Sequence, residues 1–348
     1  MGLSTPQRNQ LLVRAMVRRF LNEGGLKLPP EHRRDLTPSL VREASQVYRD
    51  FVRGFNDWLS GVGMQPLDPV RPTGSSTHAE RDIIDRPGAT YGDIDFLVSF
   101  PVQYTSDDPT LMRKEEAASV KKYTELLTEY LNTVRPPEVD VDLTVGGHPL
   151  MIIVKVPSGG LAQVDTVVTH PKYSEWMKGR YTPERGIKGY VTGNLYKALG
   201  DYLVLTIGTE GVLARIKDGQ RVPSTLRAGI TYQSISTDFR NFFKDIADYV
   251  IEGAYVADPL LEQHPGLDPD NVNISDLAYG IVGLARTMEQ AGDVDAREML
   301  TTIHSSFVEG MEENVGRKLS KDITPEQEAK MRKLNVTQGE RVRQIFGV

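Results

Sequence analysis

Asp93 and Asp95 stand two residues apart in Tyr91-Gly92-Asp93-Ile94-Asp95-Phe96-Leu97-Val98, and Gly74-Ser75 precedes them across a polar loop. Side chains alternate faces along a strand, so this spacing predicts both carboxylates on one side and Ile94, Phe96 and Val98 on an apolar other side. Carboxylates that close repel each other. Such a pair holds a cation, carries a raised pKa, or stays well solvated, and the cation is the sharpest of the three readings. A lone acid, Asp165, lies in the β-branched run Ala162-Gln163-Val164-Asp165-Thr166-Val167-Val168 and offers a third oxygen ligand. Gly74 allows close backbone approach and Ser75 supplies hydroxyl and amide donors, which is what a turn that cradles phosphate needs.

Several elements must position these residues. Leu12, Met16 and Phe20 recur at helical spacing, and a second helix over 37–59 carries Leu40, Ala44, Val47, Phe51, Phe55 and Trp58 as its apolar stripe. A third, over 111–134, stops at Arg135-Pro136-Pro137 and links the Asp-x-Asp strand to the next one. Val139-Asp140-Val141-Asp142-Leu143-Thr144-Val145 alternates like a strand and offers a rival acidic pair. No Gly-Ser turn precedes it, so Asp140 and Asp142 are read as facing water. Strands over 151–156 and 163–168 form a hairpin through Pro157-Ser158-Gly159-Gly160. Strands over 202–207 and 212–216 follow, with a linker-like stretch near 220. Helices come next over 237–252, 274–290 and 294–319, and Thr324-Pro325-Glu326-Gln327 opens a short helix in the tail.

The order Gly-Ser, Asp-x-Asp, later single Asp resembles the nucleotidyltransferases of the DNA polymerase β type. Over 74–101 the chain is most similar to the archaeal-type CCA-adding and oligoadenylate-synthetase branch, and His148-Pro149, Gly159-Gly160 and Val164-Asp165 continue the likeness. It spans 40–169 and departs from the pattern in a longer loop between Ser75 and Asp93, which contains His78, Glu80, Asp82 and Asp85. The resemblance implies that Asp93, Asp95 and Asp165 hold two Mg²⁺ ions, that Gly74 and Ser75 meet the triphosphate of an NTP, and that Asp165 draws the acceptor hydroxyl's proton. Cationic help is expected from Lys188 and Lys197, in a glycine-to-helix stretch after Asp165; Tyr190 and Tyr196 there are read as core.

Composition sets bounds around this reading. The 348 residues accommodate one large domain or two to three modest ones, and no apolar run approaches the ~18–20 residues of a membrane span. The absence of cysteine excludes disulfides, thiolate metal sites and cysteine nucleophiles, and with no signal peptide expected it fits a cytoplasmic location. The net charge of −6 argues against a general polyanion-coating protein, but residues 1–60 carry ten Lys or Arg against six Asp or Glu. That segment is +4, which leaves −10 for the remainder, so the N-terminal part is the candidate nucleic-acid face.

The expectation is an α/β (α+β) protein with a mixed-sheet catalytic domain: N-terminal helices over 1–60, the nucleotidyltransferase domain over 61–220, and a mostly helical acceptor domain over 221–348. Its expected activity is template-independent transfer of NMP from an NTP to a hydroxyl, at an RNA or tRNA 3′ end in preference to DNA, with no membrane partner. The rival readings are an oligonucleotide second-messenger synthase and a catalytically silent nucleic-acid-binding protein.

Overall fold

The computed structural model describes residues 36–68, 70–81, 91, 94–103, 105, 109–146, 151–169, 171–223, 225–226, 228–262, 267–319 and 325–348. The helix expected around Leu12 to Phe20 lies outside them, as do Asp82, Asp85, Asp93, His148 and Pro149. The chain forms two compact units, Met1–Pro171 and Lys172–Val348.

In the first unit, helix α1 (Pro38–Gly61) begins where the Thr37 hydroxyl accepts the Leu40 N–H and Pro38 occupies the first turn. Its buried stripe is Val41, Ala44, Tyr48, Phe51, Phe55 and Leu59. That stripe is rotated slightly from the expected one, leaving Leu40, Val47 and Trp58 at its half-buried edge. Strand β1 (Arg71–Thr73), helix α2 (Thr77–Arg81), strand β2 (Ile94–Ser99), helix α3 (Pro109–Val134), helix α4 (Val141–Gly146) and the hairpin of β3 (Met151–Lys155) with β4 (Leu161–Thr169) complete the unit. The sheet runs β1-β2-β4-β3, with β2 and β4 parallel and both outer pairings antiparallel. A mixed sheet results because α3 carries the chain across from β2 before the β3–β4 hairpin. The hairpin turn works because Gly159 and Gly160 both adopt positive φ.

Helix α4 corrects the strand expected over 139–145. Asp140 Oδ1 accepts the Leu143 N–H at 3.2 Å, and the Asp140 carbonyl accepts that of Thr144 at 3.0 Å. The side-chain capping bond outcompetes a two-residue alternation that is short and charged. Asp142 is exposed and pairs with Arg135 at 2.8 Å, whereas Asp140 is half-buried and its carboxylate accepts the Leu143 N–H.

The second unit contains α5 (Ser174–Tyr181), α6 (Gly189–Leu203), β5 (Leu205–Gly208), β6 (Gly211–Lys217), β7 (Gln220–Arg221), β8 (Thr231–Ser236), α7 (Phe242–Val250), α8 (Pro259–Glu262), α9 (Ile274–Ala291), α10 (Ala296–Leu319) and α11 (Pro325–Phe346). Its buried core runs from Trp176 to Phe346. The expected strand at 202 starts at 205, because α6 continues to Leu203 and ends at Val204 in a left-handed conformation. Asp218-Gly219 is a hairpin turn, with Ile216 paired to Arg221, and the tail helix is 22 residues long. Arg341 of α11 bonds Ser275 and Asn273 at the start of α9 and pairs with Glu184.

Candidate active site

Parallel pairing sets Ile94 against Val164, Asp95 against Asp165 and Phe96 against Thr166. Registered partners share a face, and neighbouring strands lie ~4.8 Å apart, so Asp95 and Asp165 stand side by side. Ile94, Phe96 and Val164 are fully buried beneath α1 on the opposite face. Both aspartates remain partly exposed on theirs. Two acids 70 residues apart in sequence are thereby brought together by a register that hydrophobic burial on the other face enforces.

The Gly-Ser turn closes over this pair. Thr73 registers with Asp95, and Gly74 follows with φ +68°. A Cβ on Gly74 would lie 2.1 Å from Asp95 Oδ2 and 3.0 Å from its Cγ, so glycine is required here both by backbone conformation and by contact. The next residues divide the work: Ser75 is half-exposed, whereas Ser76 is 1% exposed. The Ser76 hydroxyl accepts the Asp95 N–H and donates to the Thr73 carbonyl, each at 3.3 Å. Ser76 was not among the expected site residues; the only sequence signal for it is its place after Gly74-Ser75.

Helix α2 replaces the first part of the long polar loop expected after Ser75. His78 is buried there, and Glu80 pairs with Arg49 of α1. Arg42 donates to the Ala79 carbonyl at 3.1 Å, and the Arg49 guanidinium sits 5.2 Å from the Phe96 ring centroid. These contacts come from a helix 30 or more residues earlier, which local sequence cannot reveal.

Asp165 has a bonded neighbour on its own face of β4. Gln163 Nε2 donates to Asp165 Oδ1 at 2.8 Å, and behind the strand the Tyr48 hydroxyl and Thr166 Oγ1 share a hydrogen bond of 2.7 Å. Burial pushes the Tyr48 phenol above its ordinary value; the Thr166 hydrogen bond opposes this and the Asp165 charge adds to it.

No protein-family model matches the chain, and no curated protein does. Among the solved structures that match is one of low overall similarity. It is the crystal structure of Leishmania infantum polymerase beta in a ternary P/T complex, 13% identical, with 58% of this chain and 68% of the polymerase beta chain covered at a TM-score of 0.32.

The donors at Asp95 and Asp165 are hard carboxylate oxygens, the type Mg²⁺ takes, and the glycine at 74 lets the backbone lie close against Asp95. Among the described residues no group of three or more His, Cys, Asp or Glu gathers to hold a metal. Asp93, the third expected ligand, lies outside the described residues. Lys188 is exposed and immediately precedes α6, while Lys197 pairs with Asp201 at 3.2 Å. Nine residues separate the two lysines, about two and a half turns of a helix, a spacing that falls on opposite sides of a helix axis. Tyr196 is core, as expected, with its ring under Arg180, and Tyr190 bonds Asn335 at 2.7 Å. No helix of the described residues is long and apolar enough to cross a membrane.

Proposed function

We propose that this chain is a template-independent nucleotidyltransferase that moves NMP from an NTP to a hydroxyl acceptor, with an RNA 3′ end, tRNA included, as the favoured acceptor. The observation that carries the reading is the Gly74 backbone packed against the Asp95 carboxylate, with Asp165 in register beside it. The choice of RNA rests on the likeness of 74–101 to RNA-tailing enzymes.

In this reading Asp93, Asp95 and Asp165 hold Mg²⁺, which when bound supplies charge neutralisation to the phosphates. Gly74 and Ser75 meet the triphosphate through backbone amide and hydroxyl. Asp165 accepts the proton of the acceptor hydroxyl as its oxygen bonds the α-phosphorus, the α–β bridging bond breaks and pyrophosphate leaves. Positioning and electrostatics carry most of such a reaction.

Each labelled NTP, incubated with Mg²⁺ and with RNA, tRNA, single-stranded DNA or no acceptor, tests the reading against Asp95→Ala and Asp165→Ala. Extension of RNA by wild type alone is the expected result. Acceptor-free linear or cyclic products would instead support the second-messenger reading. Equal label transfer by wild type and both variants, or none with any acceptor, would sink the proposal and leave the silent nucleic-acid-binding reading.

A further inference from the structure

Gln163 is 1% exposed, and its neighbours across β3 are apolar. Its registered partner on β3 is Ile153, and Met151 registers with Asp165; Met151 and Ile153 pack with Leu143 and Leu161 into a small buried cluster. Burying a long amide there costs rotamer freedom and desolvation that an apolar side chain would avoid. What the amide does in return is visible: Nε2 donates to Asp165 Oδ1 at 2.8 Å. Residues 163 and 165 share a face because they are two apart on one strand, so the bond is built into β4 itself.

We propose that Gln163 is a positioning residue that fixes the orientation of the Asp165 carboxylate for cation binding, through a neutral donor that leaves the carboxylate's charge intact. The inference rests on the nucleotidyltransferase reading and extends it to a residue that would touch neither substrate nor metal. The neutrality of the donor matters. A lysine or arginine at 163 would orient Asp165 equally well but would compete with the cation for its charge, whereas an amide restricts the carboxylate without discharging it. Outer partners that orient metal-binding side chains are a general feature of metal sites, and losing one weakens metal binding about 10–100-fold.

The test reads metal affinity directly, by Mn²⁺ titration of the full chain followed by electron paramagnetic resonance, with thermal melts alongside. Gln163→Met keeps the length of the side chain and removes the donor; Gln163→Leu does the same with a different shape, so a packing failure of one leaves the other. Tyr48→Phe removes the hydroxyl that bonds Thr166 on the opposite face and serves as the structural control. The expected result is Mn²⁺ binding weakened about 10–100-fold in both Gln163 variants, with Tyr48→Phe lowering the melting temperature but leaving affinity unchanged. Wild-type affinity in the Gln163 variants overturns the proposal, as does equal weakening in all three, which would mark general loosening of the sheet. If wild type binds no Mn²⁺ that Asp95→Ala and Asp165→Ala remove, the nucleotidyltransferase reading has failed and Gln163 loses its role with it.

Discussion

Gly74 is the residue whose replacement most directly separates site from scaffold. An alanine there meets a left-handed backbone and an oxygen at 2.1 Å, so the turn must withdraw or Asp95 must rotate. Gly74→Ala is expected to lower stability by about 1–2 kcal/mol from the conformation alone. Its larger effect is loss of nucleotidyl transfer, measured as initial rate beside a urea melt; a variant that melts early yet transfers normally would mean the turn is only structural. Asp95→Asn keeps size and shape while removing charge, so it is expected to abolish transfer and leave the melt close to wild type. The turn at Gly74 and the strands that carry Asp95 and Asp165 were legible in the sequence because glycine turns and β-branched runs are local patterns; the chemistry assigned to these residues is proposed. Ser76 and Gln163 were not legible, because a serine or glutamine acquires a role only from what lies within hydrogen-bond reach.

The elements show how much of the site depends on contacts distant in sequence. Helix α2 is five residues long, too short to persist alone, and is held by Arg42 and Arg49 from α1. Arg49→Met would leave Glu80 partly buried beside a lost partner, and Glu80 Oε1 is already without one among the described residues. A loss of about 1–3 kcal/mol is expected, smaller than for a fully buried pair because Arg49 is one-third exposed. Denaturant melts of Arg49→Met, Glu80→Gln and the double variant check this; a fully additive cycle would show that the pair does not couple. Most long helices were legible from periodicity, as the apolar stripe over 37–59 illustrates. Residues 139–145 were misread because seven alternating residues fit a strand pattern as well as a capped helical turn, and only the Asp140 bonds decide.

For the molecule as a whole, each unit has its own buried core, one beneath α1 and one running from Trp176 to Phe346. Residues 172–348 expressed alone are therefore expected to give a cooperative thermal transition; a non-cooperative melt would contradict that. Both cores also contain tyrosines held protonated. Burial pushes Tyr48 and Tyr196 above the ordinary 10.0, and pushes Tyr190 up to about 12 with help from the Glu312 charge. The folded state thus keeps protons that the unfolded chain releases once pH passes 10. Their stabilising contribution is complete below pH 10 and falls as pH rises above it. Melting temperature should drop between pH 10 and 12, together with a cooperative rise in tyrosinate absorbance; gradual ionisation without unfolding would contradict the assignment.

The amino-acid sequence by itself determined the chemical inventory: a Gly-Ser turn, an acidic strand, a later lone acid and the amphipathic helices that bury what lies between them. Those follow from residue type and period, which are local properties. The tertiary structure decided the rest: that Asp95 and Asp165 are registered neighbours on parallel strands, that the Gly74 backbone touches one of them, and that Gln163 holds the other. Pairing between strands is fixed by burial summed over a whole face, and no single segment of sequence contains that sum.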